Sequence, residues 1–308
     1  MLDPFPFEIA FSHAVQGLIS PLLTSIIIAF TWLGSPTVWI GLGMGLHWLH
    51  HKKLAVRVLL LSILTAIVVE VFKTIFARPR PGNEFLRLYG DGITEKSFPS
   101  GHATLASAQT MHLLRREKAH VFFSILGGIL IAGVAISRVY LGLHYLGDVI
   151  AGSLLGIAVG WGFWKAYENT RVQQMKAMVA PYKYELLIAA VAFISLALML
   201  LQKEIGSIAA TLGFLVGFYL FDEENEKQKP LAFDGMNMVK VILGMFSTAL
   251  FVLLNWQFVG SINGYGFVSF AVYFFAGVYA VWVYPALWNR MQQAFNSTSK
   301  NAKKAIRF

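Results

Sequence analysis

The sequence predicts an all-α fold, a polytopic integral membrane helical bundle, and three observations carry that expectation. Hydrophobic residues make up 56% of the chain and charged residues 13%, with a mean hydropathy of +0.61, whereas a soluble globular protein carries about 25% charged residues. The apolar residues gather into runs of the length that crosses a bilayer, roughly 17 to 25 residues of helix. The basic residues, behind a formal net charge of +9, sit between those runs, where they set topology rather than bind nucleic acid.

Ten spans are expected in order, near residues 15–33, 36–50, 54–76, 100–115, 120–137, 145–166, 184–202, 205–221, 239–257 and 265–288. The N-terminal segment before the first has Asp3 and Glu8 but no Lys or Arg, so it lacks the basic start of a cleavable signal peptide. The second span is short. The third ends at Lys73, where Pro79 and Pro81 stop any further helix. The fourth, also short, opens after Pro99-Ser100-Gly101-His102. The sixth opens on His144 and Asp148 and carries Gly152, Gly156 and Gly160 four apart, a close helix-packing face. Trp32, Trp48, Trp164, Trp256 and Trp288 fall near span ends and read as an aromatic belt. The last four spans follow the mixed-charge segment 167–184. Residues 1–170 and 171–308 are therefore expected to be a catalytic transmembrane domain and a C-terminal helical domain.

Of the 25 lysines and arginines, all but Lys73, Arg78, Arg80, Arg87, Lys96, Arg138 and Lys203 fall in segments that are cytoplasmic if the N-terminus is cytoplasmic. The exceptions, Lys203 apart, cluster in or beside two polar stretches. The positive-inside rule then puts those stretches outside and both termini inside, in a plasma or inner membrane. The run Asp222, Glu223, Glu224 and Glu226 reads as a solvated cytoplasmic loop. With no cysteine in the chain, disulfides, thiolate metal sites and cysteine-based phosphatase chemistry are excluded.

Ionisable residues at span ends are expensive and usually functional. Lys73, Arg78 and Arg80 bring three cations to one membrane surface. Pro99-Ser100-Gly101-His102 places exposed backbone N–H groups at the start of a helix, a ready anion site. Ser137-Arg138 precedes His144 and Asp148, which are four apart and share one helix face, so the carboxylate can orient the imidazole. Glu70, one turn before Lys73, is its expected partner. His47, His50, His51, His112 and His120 read as structural.

These three groups together, Lys73 with Arg80-Pro81, then Pro99-Ser100-Gly101-His102, then Ser137-Arg138 with His144 and Asp148, resemble the type 2 phosphatidic acid phosphatase (PAP2) superfamily. The same pattern is similar to that of the soluble vanadium haloperoxidases. The resemblance covers about residues 15–166 and implies a six-helix PAP2-type core followed by about four further helices. It implies that Lys73, Arg80 and Arg138 bind the phosphoryl oxygens with Ser100 and the Gly101 N–H. His144 would attack phosphorus, Asp148 would hold its tautomer, and His102 would protonate the leaving alkoxide and later activate water. No metal and no cofactor is implied, because fixed cations supply the transition-state charge.

The expected function is a lipid phosphate phosphatase. Candidate substrates are phosphatidate, phosphatidylglycerophosphate, a polyprenyl diphosphate such as undecaprenyl diphosphate, and sphingoid phosphates. The helices after the motif resemble, in topology only, those of the sphingosine-phosphate phosphatase and glucose-6-phosphatase branches, so a soluble phosphate ester stays open. A lipid flippase or carrier fused to a phosphatase is the alternative of another class, disfavoured by the lack of charge inside the last spans. The expected partners are membrane lipids and the lipid phosphate substrate, with no nucleic acid. The last four helices are open between a homo-oligomer interface and a substrate groove.

Overall fold

Proline and polar caps set the first helix boundaries. Pro6, Pro21 and Pro36 each stand at the first position of a helix, where a missing N–H costs nothing, giving α1 (Pro6–Gln16), α2 (Pro21–Leu33) and α3 (Pro36–Trp48). Ser20 caps α2 by accepting the Leu23 N–H at 3.4 Å. Then follow α4 (Lys52–Phe76), α5 (Gly101–Arg116), α6 (Val121–Tyr140), α7 (Leu146–Glu168) and α8 (Thr170–Val179). After these come α9 (Gly235–Ser261), α10 (Gly266–Val278), a π-helical turn at Tyr279–Val283 and α11 (Tyr284–Ala305). This computed structural model describes residues 3–82, 85, 86, 88, 96–116, 120–179, 213, 216, 231, 234–261 and 266–305. The expected seventh and eighth spans and the acidic run at 222–226 lie outside the described residues.

Among the described residues every regular element is helical, as the composition predicts. Three helices, α4, α6 and α7, are long and apolar enough to cross a membrane, and α2 with α3 passes the same test as a bent pair broken between Leu33 and Pro36. The first two expected spans are thus the two arms of this bent pair, which has the form of a broken span or of a re-entrant loop. The fourth expected span, α5, is not an apolar lipid-facing helix. Thr104, Ser107, Gln109, Thr110 and His112 on it are all buried. Polar residues are tolerated there because protein, not lipid, surrounds them.

The chain divides into two compact units, residues 1–39 with 58–178 and residues 40–57 with 179–308. In the first, α5 is the central helix. A Cβ on Gly152, Gly156 or Gly160 of α7 would meet the carbonyl oxygens of Ser100, Thr104 and Ala108 at 2.8, 2.2 and 2.2 Å. Only glycine lets the two backbones run this close, and the packing face expected from the four-residue spacing is the α5–α7 contact. The rising numbers on both sides make the helices parallel. On α4, Gln109 Nε2 reaches the Val58 carbonyl at 2.8 Å and Ser62 Oγ at 3.0 Å. On α6, a Cβ at Gly127 would meet Thr110 Cγ2 at 2.7 Å.

The second unit closes on Trp48. Its ring is 1% exposed, packs edge-on to Tyr284 at 5.0 Å, and donates from Nε1 to the Ala280 carbonyl at 2.7 Å. Lys240 Nζ donates to the Trp48 carbonyl at 2.7 Å, and the Tyr284 hydroxyl donates to the Lys240 carbonyl. Trp48 and the buried Trp288 are therefore core residues, not members of an interfacial belt. An indole whose N–H finds a carbonyl is as good a core residue as an interfacial one.

The start of the chain also departs from expectation. Glu8 on α1 contacts Arg78, in the loop after α4, and the Gly147 N–H. Gln16 Nε2 donates to the carbonyls of Leu86 and Tyr140 at 2.8 and 3.2 Å. The N-terminus therefore lies at the same end of the bundle as the polar loops, which contradicts a cytoplasmic N-terminus combined with an extracytoplasmic site. The positive-inside count missed this because residues 1–51 contain no Lys or Arg to orient. Asp3→Cys and Asp91→Cys are expected to behave alike towards an impermeant thiol reagent in intact cells, and Lys53→Cys oppositely. Labels that separate residue 3 from residue 91 would refute the corrected topology.

Candidate active site

Helix termini deliver the site. Lys73 lies in the last turn of α4, with its side chain 11% exposed and Nζ 3.6 Å from Glu70, the expected pairing. Ser100 and Gly101 open α5, so the positive end of its dipole faces the polar loops. Arg138 is in the last turn of α6, and His144 and Asp148 straddle the start of α7. Asp148 holds the third position of α7 and accepts the Tyr145 N–H at 2.9 Å, the backward half of a capping box.

Around Asp148 the three groups meet. The Ser100 N–H donates to the Asp148 carbonyl at 3.0 Å, joining α5 to α7. His144 Nδ1 lies 3.5 Å from Asp148 Oδ2, a long and poorly aligned contact of the kind that tightens when a site is filled. Arg80 NH1 lies 3.1 Å from His144 Nε2 and donates to the Leu143 carbonyl at 2.7 Å. A guanidinium can only donate, so Nε2 is the bare nitrogen and the proton of a neutral imidazole sits on Nδ1, facing the carboxylate. Burial, against the pull of Asp148 and with the charges of Arg80 and Arg138, pushes His144 down to about 3. The imidazole is then neutral at physiological pH.

The remaining cations stand on neighbouring helix ends, Lys73 in the last turn of α4 and Arg138 in the last turn of α6. Arg138 NH1 donates to Thr31 Oγ1 at 2.7 Å. Gly34 fits tightly beside His102, where a Cβ would come within 3.1 Å of its backbone carbonyl oxygen. Ser100 is fully buried and its Oγ has no hydrogen-bond partner, as suits a hydroxyl reserved for a ligand. Ser137 does not join the site, since its hydroxyl turns back to the Val134 carbonyl at 2.7 Å. Among the described residues no three His, Asp or Glu side chains group as metal ligands would.

Two residues depart from the sequence reading. Arg78 is not part of an open cationic cradle: NH1 donates to Asp148 Oδ1 at 2.7 Å and NH2 to Glu8 Oε2 at 2.5 Å. Glu8, 1% exposed, is a buried carboxylate on α1. Its only sequence signal is an acid three residues into a proline-led helix, which reads as a cap. Burial alone would raise its pKa, but donors from Arg78, Phe5 and Gly147 hold it below the ordinary carboxylate value.

Residues 54–171 match the family model of the PAP2 superfamily. The undecaprenyl-diphosphatase of Sulfolobus acidocaldarius is 32% identical over 137 residues, which is 44% of this chain and 66% of that protein. The decaprenylphosphoryl-5-phosphoribose phosphatase of Mycobacterium tuberculosis is 32% identical over 93 residues, 30% of this chain and 50% of that protein. This chain thus spans between half and two thirds of the length of these relatives. A crystal structure of a PAP2-type phosphatidylglycerolphosphate phosphatase from Bacillus subtilis aligns with a TM-score of 0.45 and 25% identity, over 53% of this chain and 86% of that one.

The unpartnered Ser100 hydroxyl yields a prediction with two opposite signs. Ser100→Ala removes a buried unsatisfied group and is expected to melt no lower than the parent. It is also expected to weaken orthovanadate binding about tenfold, one charge-assisted hydrogen bond's worth. Thermal melts with and without vanadate read both; unchanged vanadate affinity would remove Ser100 from the site.

Proposed function

We propose, on the premise that residues 54–171 of this chain belong to the PAP2 superfamily, that the protein is a metal-independent lipid phosphate phosphatase working through a phosphohistidine. One observation carries the reading: the buried His144 has its bare Nε2 beside Arg80 and its Nδ1 facing Asp148, with Lys73 and Arg138 at the ends of α4 and α6 and His102 at the start of α5.

In this mechanism the phosphoryl group displaces Nε2 from Arg80, which keeps hold of a phosphoryl oxygen. Arg138, Lys73, Ser100 and the Gly101 N–H take the others. Charge spreads over these oxygens in the transition state, and fixed cations in a dry site stabilise it without reorganising. As the P–N bond forms, positive charge grows on the imidazole and Asp148 stabilises it through Nδ1–H. His102 protonates the leaving oxygen, then takes a proton from the water that cleaves P–N.

The substrate class in this reading is a lipid phosphomonoester or a polyprenyl diphosphate. Val71 and Ile75, flanking Lys73 on α4, are 49% and 68% exposed, so apolar, lipid-facing surface runs up to the cationic site, as a headgroup entering from the bilayer needs. The reading places the site extracytoplasmic, because Lys52 and Lys53 at the start of α4, Arg115 and Arg116 at the end of α5, and Lys165 at the end of α7 stand at the helix ends away from the site. It keeps residues 1–170 as the catalytic part of a core with six helices and about four more, and leaves 171–308 a separate role.

Variants separate the two histidines. His144→Ala is expected to abolish turnover of every phosphate ester. His102→Ala is expected to slow an alkyl phosphate by about 10²–10⁴-fold, the usual yield of general acid catalysis. It should spare a single burst of nitrophenolate from nitrophenyl phosphate, whose leaving group needs no proton. Loss of that burst in His102→Ala as complete as in His144→Ala would reverse the assignment.

A further inference from the structure

We infer that Glu8 and Arg78 are positioning residues that set the charge balance of the His144–Asp148 pair, which makes α1, outside the PAP2 segment, a working part of the active site. The inference rests on the reading of His144 as nucleophile. Its basis is a single nitrogen shared by two carboxylates: Arg78 NH1 is 2.7 Å from Asp148 Oδ1 and 3.3 Å from Glu8 Oε1. Glu8, Arg78 and Asp148 are 1%, 4% and 0% exposed, so little water screens them from one another.

Three contacts of the pair fall on the turn that follows His144, at Tyr145, Gly147 and Asp148. Glu8 Oε1 accepts the Gly147 N–H at 2.8 Å, and a Cβ at Gly147 would sit 2.5 Å from that oxygen. The Arg78 guanidinium lies 4.9 Å from the centre of the Tyr145 ring. Ser97 N–H and Oγ both donate to the Arg78 carbonyl, at 2.8 and 3.3 Å, fixing the backbone from which the arginine reaches in. Tyr145, Gly147 and Asp148 are thus all held by Arg78 or Glu8, and His144 is carried with them. A merely structural tie for α1 would not need to divide an arginine between its own carboxylate and the one facing the nucleophile.

The charges predict a pattern that a structural role does not. Arg80 from the loop after α4 and Asp148 from α7 touch the His144 ring, Arg78 and Glu8 reach it through Asp148 and Gly147, and Lys73, His102 and Arg138 stand at the neighbouring ends of α4, α5 and α6. Glu8, Arg78 and Asp148 together carry one net negative charge. Arg78→Met leaves two uncompensated carboxylates, which favour the imidazolium, so the acid limb of kcat/KM moves to higher pH. Adding Glu8→Gln returns the trio to one negative charge, so the limb moves back. Glu8→Gln alone leaves Arg78 undivided on Asp148 and moves the limb to lower pH.

The full chain in detergent, with nitrophenyl phosphate as probe, tests this. Arg78→Met is expected to raise the acid limb by about one pH unit or more and to lower kcat by about 10²-fold, the cost of a displaced catalytic group. The double variant Arg78→Met/Glu8→Gln is expected to recover most of the limb but not all of kcat, the non-additivity of a directly coupled pair. If Arg78→Met does not fold, Glu8→Gln, close in shape to the parent, carries the test: its limb must move down with KM unchanged. A limb that stays in place in every folded variant, or a double variant shifted as far as Arg78→Met, overturns the inference. Turnover surviving in His144→Ala overturns instead the nucleophile reading on which it stands.

Discussion

A carboxylate buried without a trace of exposure, Asp148, is the point on which the first unit is built. A lone buried charge costs several kcal/mol even after relaxation, so the fold must bring partners to it. It brings them from all over the sequence: Arg78 to Oδ1, the Tyr145 N–H and His144 to Oδ2, and the Ser100 N–H to the backbone carbonyl. Satisfying this one residue draws together the loop after α4, the start of α5 and the turn before α7. The glycine face of α7 makes the last of these contacts attainable. Without Gly152, the α5 and α7 backbones could not approach closely enough for Ser100 to reach Asp148.

That dependence explains what could be read from the residues. Spacing conveys local geometry, so His144 and Asp148 sharing a face, the helix start at Gly101 and the Gly152–Gly160 packing stripe were all visible. The resemblance to the PAP2 pattern added an expectation of which distant groups meet. Glu8 was invisible to both. It lies outside the recognised segment, 70 residues before Arg78 and 139 before Gly147, and nothing local distinguishes a carboxylate that caps its own helix from one that also pairs across the fold. Arg78 was misjudged for the same reason. Next to Lys73 and Arg80 it looks like one more cation for phosphate, and only its partners show it facing the other way.

Hydropathy misled in two places, each with a physical cause. Central helix α5 and lipid-facing α6 are both helices between loops, but α5 is wrapped by protein and carries polar residues, so its length and polarity say little about crossing. At the start of the chain, α2 and α3 read as two spans because each is apolar. The break between them, at Gly34 and Ser35, bends them by 58° into one pair, a broken span or a re-entrant loop. Trp48 was assigned to an interface from its position near a span end, whereas its N–H partner and the Tyr284 ring make it a core residue.

In the proposed mechanism His144 Nε2 is the atom that bonds to phosphorus, with Arg80, Arg138 and Lys73 holding the equatorial oxygens. A structure of the protein with orthovanadate tests it most directly. Vanadium is expected on Nε2 of His144, its equatorial oxygens on those three cations and on Ser100, and its far apical oxygen towards His102. Vanadium bonded to His102, or oxyanion bound away from both histidines, would contradict it.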